Sequence, residues 1–179
     1  SAIKCYEKVL VIKPNFAEMH NNLGVVFQKA GKLNAALERF QKALVIKPDF
    51  AEAYNNLGNV FKELQQDDAA IQSYKKALVI NPQYVESQYS LGNIFQELGQ
   101  FESAIKCYEK VLVIKPNFAE VYNNLGNALN KLLQKDEAVK FYEKAIAIKS
   151  DYAGAYANLA SVLKDLKRLE EALVIYESE

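Results

Sequence analysis

Pro14, Pro48, Pro82 and Pro116 stand 34 residues apart, and a fixed period of that length restricts the chain to an array of like units. Counted from Ala17, Ala51, Val85, Ala119 and Ala153, the seventh residue of every unit is Leu: Leu23, Leu57, Leu91, Leu125 and Leu159. The eighth is Gly24, Gly58, Gly92 and Gly126, then Ala160. The twentieth is Ala36, Ala70, Ala104, Ala138 and Ala172; the twenty-fourth is Phe40, Tyr74, Tyr108, Tyr142 and Tyr176. The thirty-second is proline except at Ser150. In the second unit Tyr54, Leu57, Gly58 and Phe61 recur at helical spacing, and so do Ala70, Ile71, Tyr74, Ala77 and Leu78. This predicts helix A from Ala51 to Leu64 and helix B from Asp68 to Ile80. Gly58 has no Cβ, so helix B can approach closely there, a gain that must exceed the ~1 kcal/mol an interior glycine costs a helix. Pro82 ends the unit, because the residue before a proline is pushed away from helical geometry. Phe16, Phe50, Tyr84, Phe118 and Tyr152 precede the A helices and are read as wedges between successive units.

These marks resemble the tetratricopeptide repeat, and the match runs over nearly all of the chain. The resemblance implies an all-α fold, an α-α superhelix (solenoid) of 34-residue helix–turn–helix units whose A helices line the concave side. One such hairpin cannot bury its apolar face alone, so stability is shared along the stack. The expected organisation is a single array over residues 1–179. Residues 1–16 supply a helix B only, 17–50, 51–84, 85–118 and 119–152 are full repeats, and 153–179 is a truncated fifth. Neither end carries a polar capping helix, so the ends are expected either to have lost flanking sequence or to pack on a partner. Residues 1–18 and 103–120 are identical, surface positions included, which the fold alone does not require.

Composition removes several function classes. The 22 basic and 22 acidic residues cancel, and Arg39 and Arg168 are the only arginines. That balance gives no footprint for nucleic acid and no arginine cluster for phosphate. No apolar run approaches the ~20 residues of a membrane helix, so no membrane partner is expected. Cys5 and Cys107 share one offset three units apart. Packed helices sit ~8–10 Å apart, which puts the two thiols beyond disulfide reach. Unbridged thiols suit a reducing compartment, hence an intracellular location, cytoplasmic or nucleocytoplasmic. No HExxH, CxxC, GxSxG or Walker pattern occurs. The lone His20 shares its offset with Tyr54, Tyr122 and Tyr156 and is read as a stacking residue. Glu18, Glu52, Glu86 and Glu120 lie one repeat apart, too separated for a catalytic carboxylate pair. With neither ligands for a metal nor a cofactor motif, the chain is not expected to be an enzyme.

The informative set lies on the other face of helix A. The sixth residue of each unit is Asn22, Asn56, Ser90, Asn124 and Asn158, and the ninth is Val25, Asn59, Asn93, Asn127 and Ser161. Residues three apart are neighbours on a helix surface, so these positions form a ladder of amides turned away from the Leu/Gly face. Asn is a weak helix former, and its recurrence in mid-helix calls for a gain elsewhere. An amide offers two donors and an acceptor, enough to hold the backbone of an extended peptide without regard to its side chains. Glu52, Glu86 and Lys62 would tune preference at the edge. The bland reading is that Asn22, Asn56, Asn124 and Asn158 bond neighbouring repeats or water. Ser90 breaks the ladder, and Tyr89 replaces the Asn found at 21, 55 and 123, so that unit is either a gap or a specific contact.

The runs Asn56-Leu57-Gly58-Asn59-Val60-Phe61, Asn124-Leu125-Gly126-Asn127 and Asn158-Leu159-Ala160 resemble the repeat arm of O-linked N-acetylglucosamine transferases. In that family an asparagine ladder holds protein substrates for a separate glycosyltransferase domain. The resemblance implies a ladder role for Asn22, Asn56, Asn124 and Asn158, with Ser90 departing from it. The clamp by which other repeat domains grip a chaperone C-terminus is not expected. Its helix A stretch here carries Asn55 and Asn59, then Ser90, then Glu120 and Asn124, and Glu120 would repel a carboxylate. The function expected is binding of extended protein segments along the Asn-lined groove. The alternative is a scaffold that self-associates through its ends or its convex face.

Overall fold

A computed structural model describes residues 2–177, with side chains described over 3–173 and at 175. The elements are α1 (Ala2–Ile12), α2 (Ala17–Lys29), α3 (Leu33–Ile46), α4 (Ala51–Glu63), α5 (Asp67–Ile80), α6 (Val85–Glu97), α7 (Phe101–Ile114), α8 (Ala119–Lys131), α9 (Lys135–Ile148), α10 (Ala153–Asp165) and α11 (Leu169–Glu177). Even-numbered helices are the A helices and odd-numbered ones the B helices. No strand occurs among the described residues, and the fold is an all-α helical-repeat solenoid. Helices α4 and α5 match the expected bounds to within a residue. Two compact units are distinguished, Ser1–Ser87 and Gln88–Glu179.

Every A–B turn turns on the fifteenth position of its unit. Gly31 and Gly99 have φ of 71° and 72°, and Gln65, Leu133 and Lys167 adopt 59°, 62° and 61°. The left-handed residue lets the chain fold back on the helix end. Gly31 N–H donates to Gln28 O and Lys32 N–H to Phe27 O, both at 2.9 Å. The same pair of bonds closes α4 through Gln65 and Gln66, and α8 through Leu133 and Gln134. This is the Schellman arrangement, which satisfies carbonyls that a helix end leaves over.

The B–A connection is built differently. Lys47 and Lys115, each followed by proline, are extended at φ −132° and −129°. Lys149 takes the same conformation, φ −132°, although Ser150 follows it. The N-cap residues Phe16, Phe50, Phe118 and Tyr152 make no side-chain cap bond, against the usual preference for Ser, Thr, Asp or Asn there. Their rings are put to other use: Lys47, Lys115 and Lys149 lie 4.8, 4.2 and 5.2 Å from the centroids of Phe50, Phe118 and Tyr152. Lys47 also bonds Glu18 in the first turn of α2 at 3.0 Å, and Lys149 faces Glu120 of α8 at 3.9 Å. Its own backbone N–H, then Lys47, holds the Glu18 carboxyl below its ordinary range.

In unit 1 the core gathers Ala36, Phe40, Leu57 and Val60, with Leu37 and Phe61 packed against them. In unit 2 it gathers Leu129, Ala138, Val139, Tyr142, Leu159 and Val162, with Ile105 and Phe141 alongside. The closest packing is between positions eight and twenty-four. A Cβ added to Gly24, Gly58, Gly92 or Gly126 would come within 2.6, 2.6, 2.6 and 2.5 Å of the ring of Phe40, Tyr74, Tyr108 or Tyr142. Glycine here is a seat for the ring, as expected from sequence. The aromatic expected at Tyr176 lies outside the described side chains.

Candidate functional site

The ring seated on each glycine determines what stands above it. In three hairpins the phenol passes the glycine and its O–H donates to the ninth residue. Tyr74 bonds Asn59 Oδ1 at 2.7 Å, Tyr108 bonds Asn93 Oδ1 at 2.9 Å, and Tyr142 bonds Asn127 Oδ1 at 2.9 Å. The first hairpin lacks the hydroxyl, having Phe40, and correspondingly lacks the amide, having Val25. Burial raises the pKa of Tyr108 and Tyr142 well above the ordinary tyrosine range, which keeps both as donors. Asn59, Asn93 and Asn127 are thus acceptors for the core first, and their Nδ2 groups make no hydrogen bond among the described residues. Ser161, at the same position in α10, is exposed.

The sixth-position amides reach backwards along the array. Within unit 1, Asn56 Nδ2 donates to Asn21 Oδ1 at 3.0 Å, and Asn21 Nδ2 donates in turn to Glu52 at 2.9 Å. Within unit 2, Asn158 Nδ2 donates to Asn123 Oδ1 at 2.9 Å. Asn124 Nδ2 is shared between Tyr89 O–H and Asn93 Oδ1 at 3.3 and 3.2 Å. At Asn56, Asn124 and Asn158 the sixth residue donates to the fifth residue of the preceding A helix, whether that is Asn or Tyr. Asn21, Asn55 and Asn123 are buried, and the sequence shows them as the recurring set from which Tyr89 departs, without a role of their own. Their recurrence at position five was the available signal. Tyr89 fills its place by packing 5.2 Å from Phe118 and 6.2 Å from Tyr108, centroid to centroid. In unit 1, Ser87 O–H donates to Asn55 Oδ1 at 2.9 Å. Asn22 is exposed and Ser90 half-buried, and neither makes a side-chain hydrogen bond among the described residues.

These bonds orient the amides. With Nδ2 of Asn56, Asn124 and Asn158 committed to a neighbouring repeat, each Oδ1 accepts nothing from the described residues. In unit 2 this surface holds a hollow of about 430 Å³ between α6, α8 and α10, lined by Gln96, Asn127, Asn130, Lys131, Asn158 and Ser161. The Asn130 and Ser161 side chains bond nothing else in the described residues. The hollow therefore offers several polar side chains with one lysine, Lys131, and one carboxylate, Glu97.

The remaining candidates are structural or scattered. Glu52 is held by Asn21, Lys62 pairs with Asp67 at 3.2 Å, and Glu86 is exposed. His20 is buried, with Nε2 3.0 Å from Pro14 O and Nδ1 without a partner. Cys5 is exposed, Cys107 buried, and neither is in a disulfide. Among the described residues no group of three His, Cys, Asp or Glu is arranged to hold a metal, and no helix is long and apolar enough to cross a membrane.

Comparison with protein families places these hairpins. Models described as TPR repeat match residues 1–31, 29–65, 58–99 and 92–132, and models described as tetratricopeptide repeat match 119–152 and 153–178. The chain belongs to the tetratricopeptide repeat family. Among solved structures it is similar to a crystal structure of MamA, at 35% identity and a TM-score of 0.78, covering 85% of this chain and 89% of that one. MamA residues 41-end from Desulfovibrio magneticus RS-1 match at 18% identity and 0.84, covering 90% and 91%. YrrB, described as a TPR protein with an unusual peptide-binding site, matches at 22% and 0.83, covering 97% and 89%. The last two show the fold alone. No curated protein matches the chain. Tetratricopeptide repeat proteins mediate protein–protein interactions and are generally non-catalytic interaction modules.

Proposed function

We propose that the chain binds extended segments of partner proteins along the amide-lined face of its A helices, reading the backbone of the segment more than its side chains. The observation that carries this reading is the fixed orientation of the sixth-position amides. Asn56 in unit 1 and Asn124 and Asn158 in unit 2 are locked by a bond to the preceding repeat, so their remaining oxygens are pre-positioned acceptors. Preorganised groups lose little freedom when a ligand arrives. The ninth-position Asn59, Asn93 and Asn127 complement them with amide donors the fold leaves unused, and Asn22 and Ser90 extend the set. The hollow bounded by Asn127, Asn130, Asn158 and Ser161 is where the two sets meet. A finer reading makes this face the substrate-recruiting arm of an O-linked N-acetylglucosamine transferase-like protein. That reading rests on the Asn-Leu-Gly runs alone. Unbridged thiols fit action inside the cell.

The test is capture of partners from a lysate by the wild-type chain and by two variants. Asn124→Ala with Asn158→Ala removes locked amides and costs roughly 1 kcal/mol of stability per lost bond. Asn130→Ala with Ser161→Ala removes lining groups that bond nothing in the fold, so helicity and melting should not change. Loss of many partners together in both variants supports the reading. An unaltered set of partners in both would sink it and move binding to the B-helix side or the ends.

A further inference from the structure

The B-helix side of unit 2 carries another hollow, of about 650 Å³, within the roughly 300–1,000 Å³ common for ligand sites. Its apolar lining is Ile105 of α7, Leu125 and Leu129 of α8, and Phe141 and Ala147 of α9. Leu125 and Leu129 lie one turn apart on a face of α8 distinct from that of Asn124 and Asn127. The repeat period shows how the hollow arises. Leu129 stands at the position of Phe61 in unit 1, and Ala147 at that of Val79. In unit 1, Phe61 and Leu37, the counterpart of Ile105, both pack against the core. Trading a benzyl group for an isobutyl and an isopropyl for a methyl withdraws carbon from one place on the surface.

The same repeat adds to the wall. Phe141 stands where unit 1 has Ser73, and stacks with Tyr122 at 6.2 Å and 25°. Lys144 Nζ lies 5.2 and 5.8 Å from the centroids of these two rings, which holds its charge against their faces. The rim carries Glu109, Glu137 and Glu143, where unit 1 has Gln41, Ala69 and Lys75 at equivalent positions. None of the three carboxylates forms an ion pair among the described residues, although Glu143 acts on Arg168 at longer range. Lys140 completes the rim.

We propose that this hollow is a docking site for a protein segment presenting a bulky apolar side chain between lysines or arginines. The apolar lining takes the central side chain, and unpaired rim carboxylates meet the flanking cations. A segment with acidic flanks meets like charge and is turned away. The proposal does not depend on the A-helix face.

The test is fluorescence anisotropy with three labelled short peptides in a Gly/Ser background. One has Leu-Phe between lysines, one has Leu-Phe between glutamates, and one has Ala-Ala between lysines. The wild-type chain should bind the first saturably and the other two at least about tenfold more weakly, a separation typical of losing a central anchor. Leu129→Phe fills the hollow with the residue already present at Phe27, Phe61 and Phe95, and should weaken the first peptide about tenfold without lowering the melting temperature. Ala147→Val should weaken it as well, which decides the matter if the phenylalanine variant folds poorly. The triple change Glu109→Gln, Glu137→Gln and Glu143→Gln should weaken binding and flatten its salt dependence. No saturable binding of the first peptide, equal binding of the glutamate-flanked one, or affinity untouched by Ala147→Val and the triple variant would overturn the proposal.

Discussion

Leu133 sits at φ 62° with its side chain 80% exposed, in a turn where two sister repeats place glycine. The left-handed conformation crowds a Cβ, and nothing in the packing repays Leu133 for it. Leu133→Gly should raise stability by roughly 0.5–1 kcal/mol in urea unfolding, even with the added flexibility of the unfolded chain. Gly126 is the opposite case. An added methyl would stand 2.5 Å from the Tyr142 ring, an overpacking cost of roughly 1–3 kcal/mol against ~1 kcal/mol of helix propensity regained. Gly126→Ala should therefore lose about 1 kcal/mol, measured the same way. The glycines at position eight were legible in sequence because only close helix approach explains a glycine repeated in mid-helix. The left-handed turns at Gln65, Leu133 and Lys167 were not, since no residue type there advertises them. Only the repeat register, with Gly31 and Gly99 at the same offset, could have revealed them.

Two hydrogen-bond systems divide the work between elements. The bond from position twenty-four to position nine ties helix B to helix A within a hairpin, and the bond from position six to position five ties one hairpin to the next. The first predicts a coupled pair. Tyr142→Phe alone should cost roughly 1 kcal/mol, and Asn127→Val alone should cost more by stranding a buried hydroxyl. The double variant, which reproduces Phe40 and Val25, should cost less than the sum, with a coupling of at least 0.5 kcal/mol in a double-mutant cycle on the scale such neighbours show. The same tyrosines set an alkaline limit. Burial raises the Tyr142 pKa above its ordinary 10.0, so its contribution is complete below pH 10 and is lost as pH climbs through the raised value. Unfolding free energy should fall above pH 10, and less steeply in the double variant. The ladder positions were visible in sequence as a recurrence of Asn. Bonding to a neighbouring repeat was an open alternative for the sixth position, and Asn56, Asn124 and Asn158 do so; the tyrosine partners of the ninth position were not foreseen, although Val25 and Phe40 lack amide and hydroxyl together. The ninth-position amides Asn59, Asn93 and Asn127 are anchored by the core tyrosines.

For the whole molecule, stability is a sum of hairpins and the contacts between neighbours. Helix α1 packs on α2 and α11 on α10, whereas α3 is flanked by α2 and α4, and α9 by α8 and α10. Hydrogen exchange followed by mass spectrometry should find the amides of α1 and α11 exchanging faster than those of α3 and α9. Uniform protection across all four would mean the chain opens only as one cooperative block. The fold class was fully legible from the 34-residue period because each repeat restates the same local physics. The hollow on the B-helix side was not, since it is made where Leu129, Phe141 and Ala147 depart from their sister repeats.

The direction of the hydrogen bonds also sets the grain along which a gene for such an array can be cut and rejoined. A duplicated stretch running from position one to position thirty-four carries each phenol together with its amide, and the new copy arrives with that bond intact. The stretch shared by residues 1–18 and 103–120 opens at position nineteen, inside the unit. It takes a tyrosine, Tyr6 or Tyr108, away from the helix that holds its acceptor. Inheritance by whole hairpins therefore preserves internal bonding for free, whereas a break inside helix B hands the new location a donor and leaves mutation to supply the acceptor.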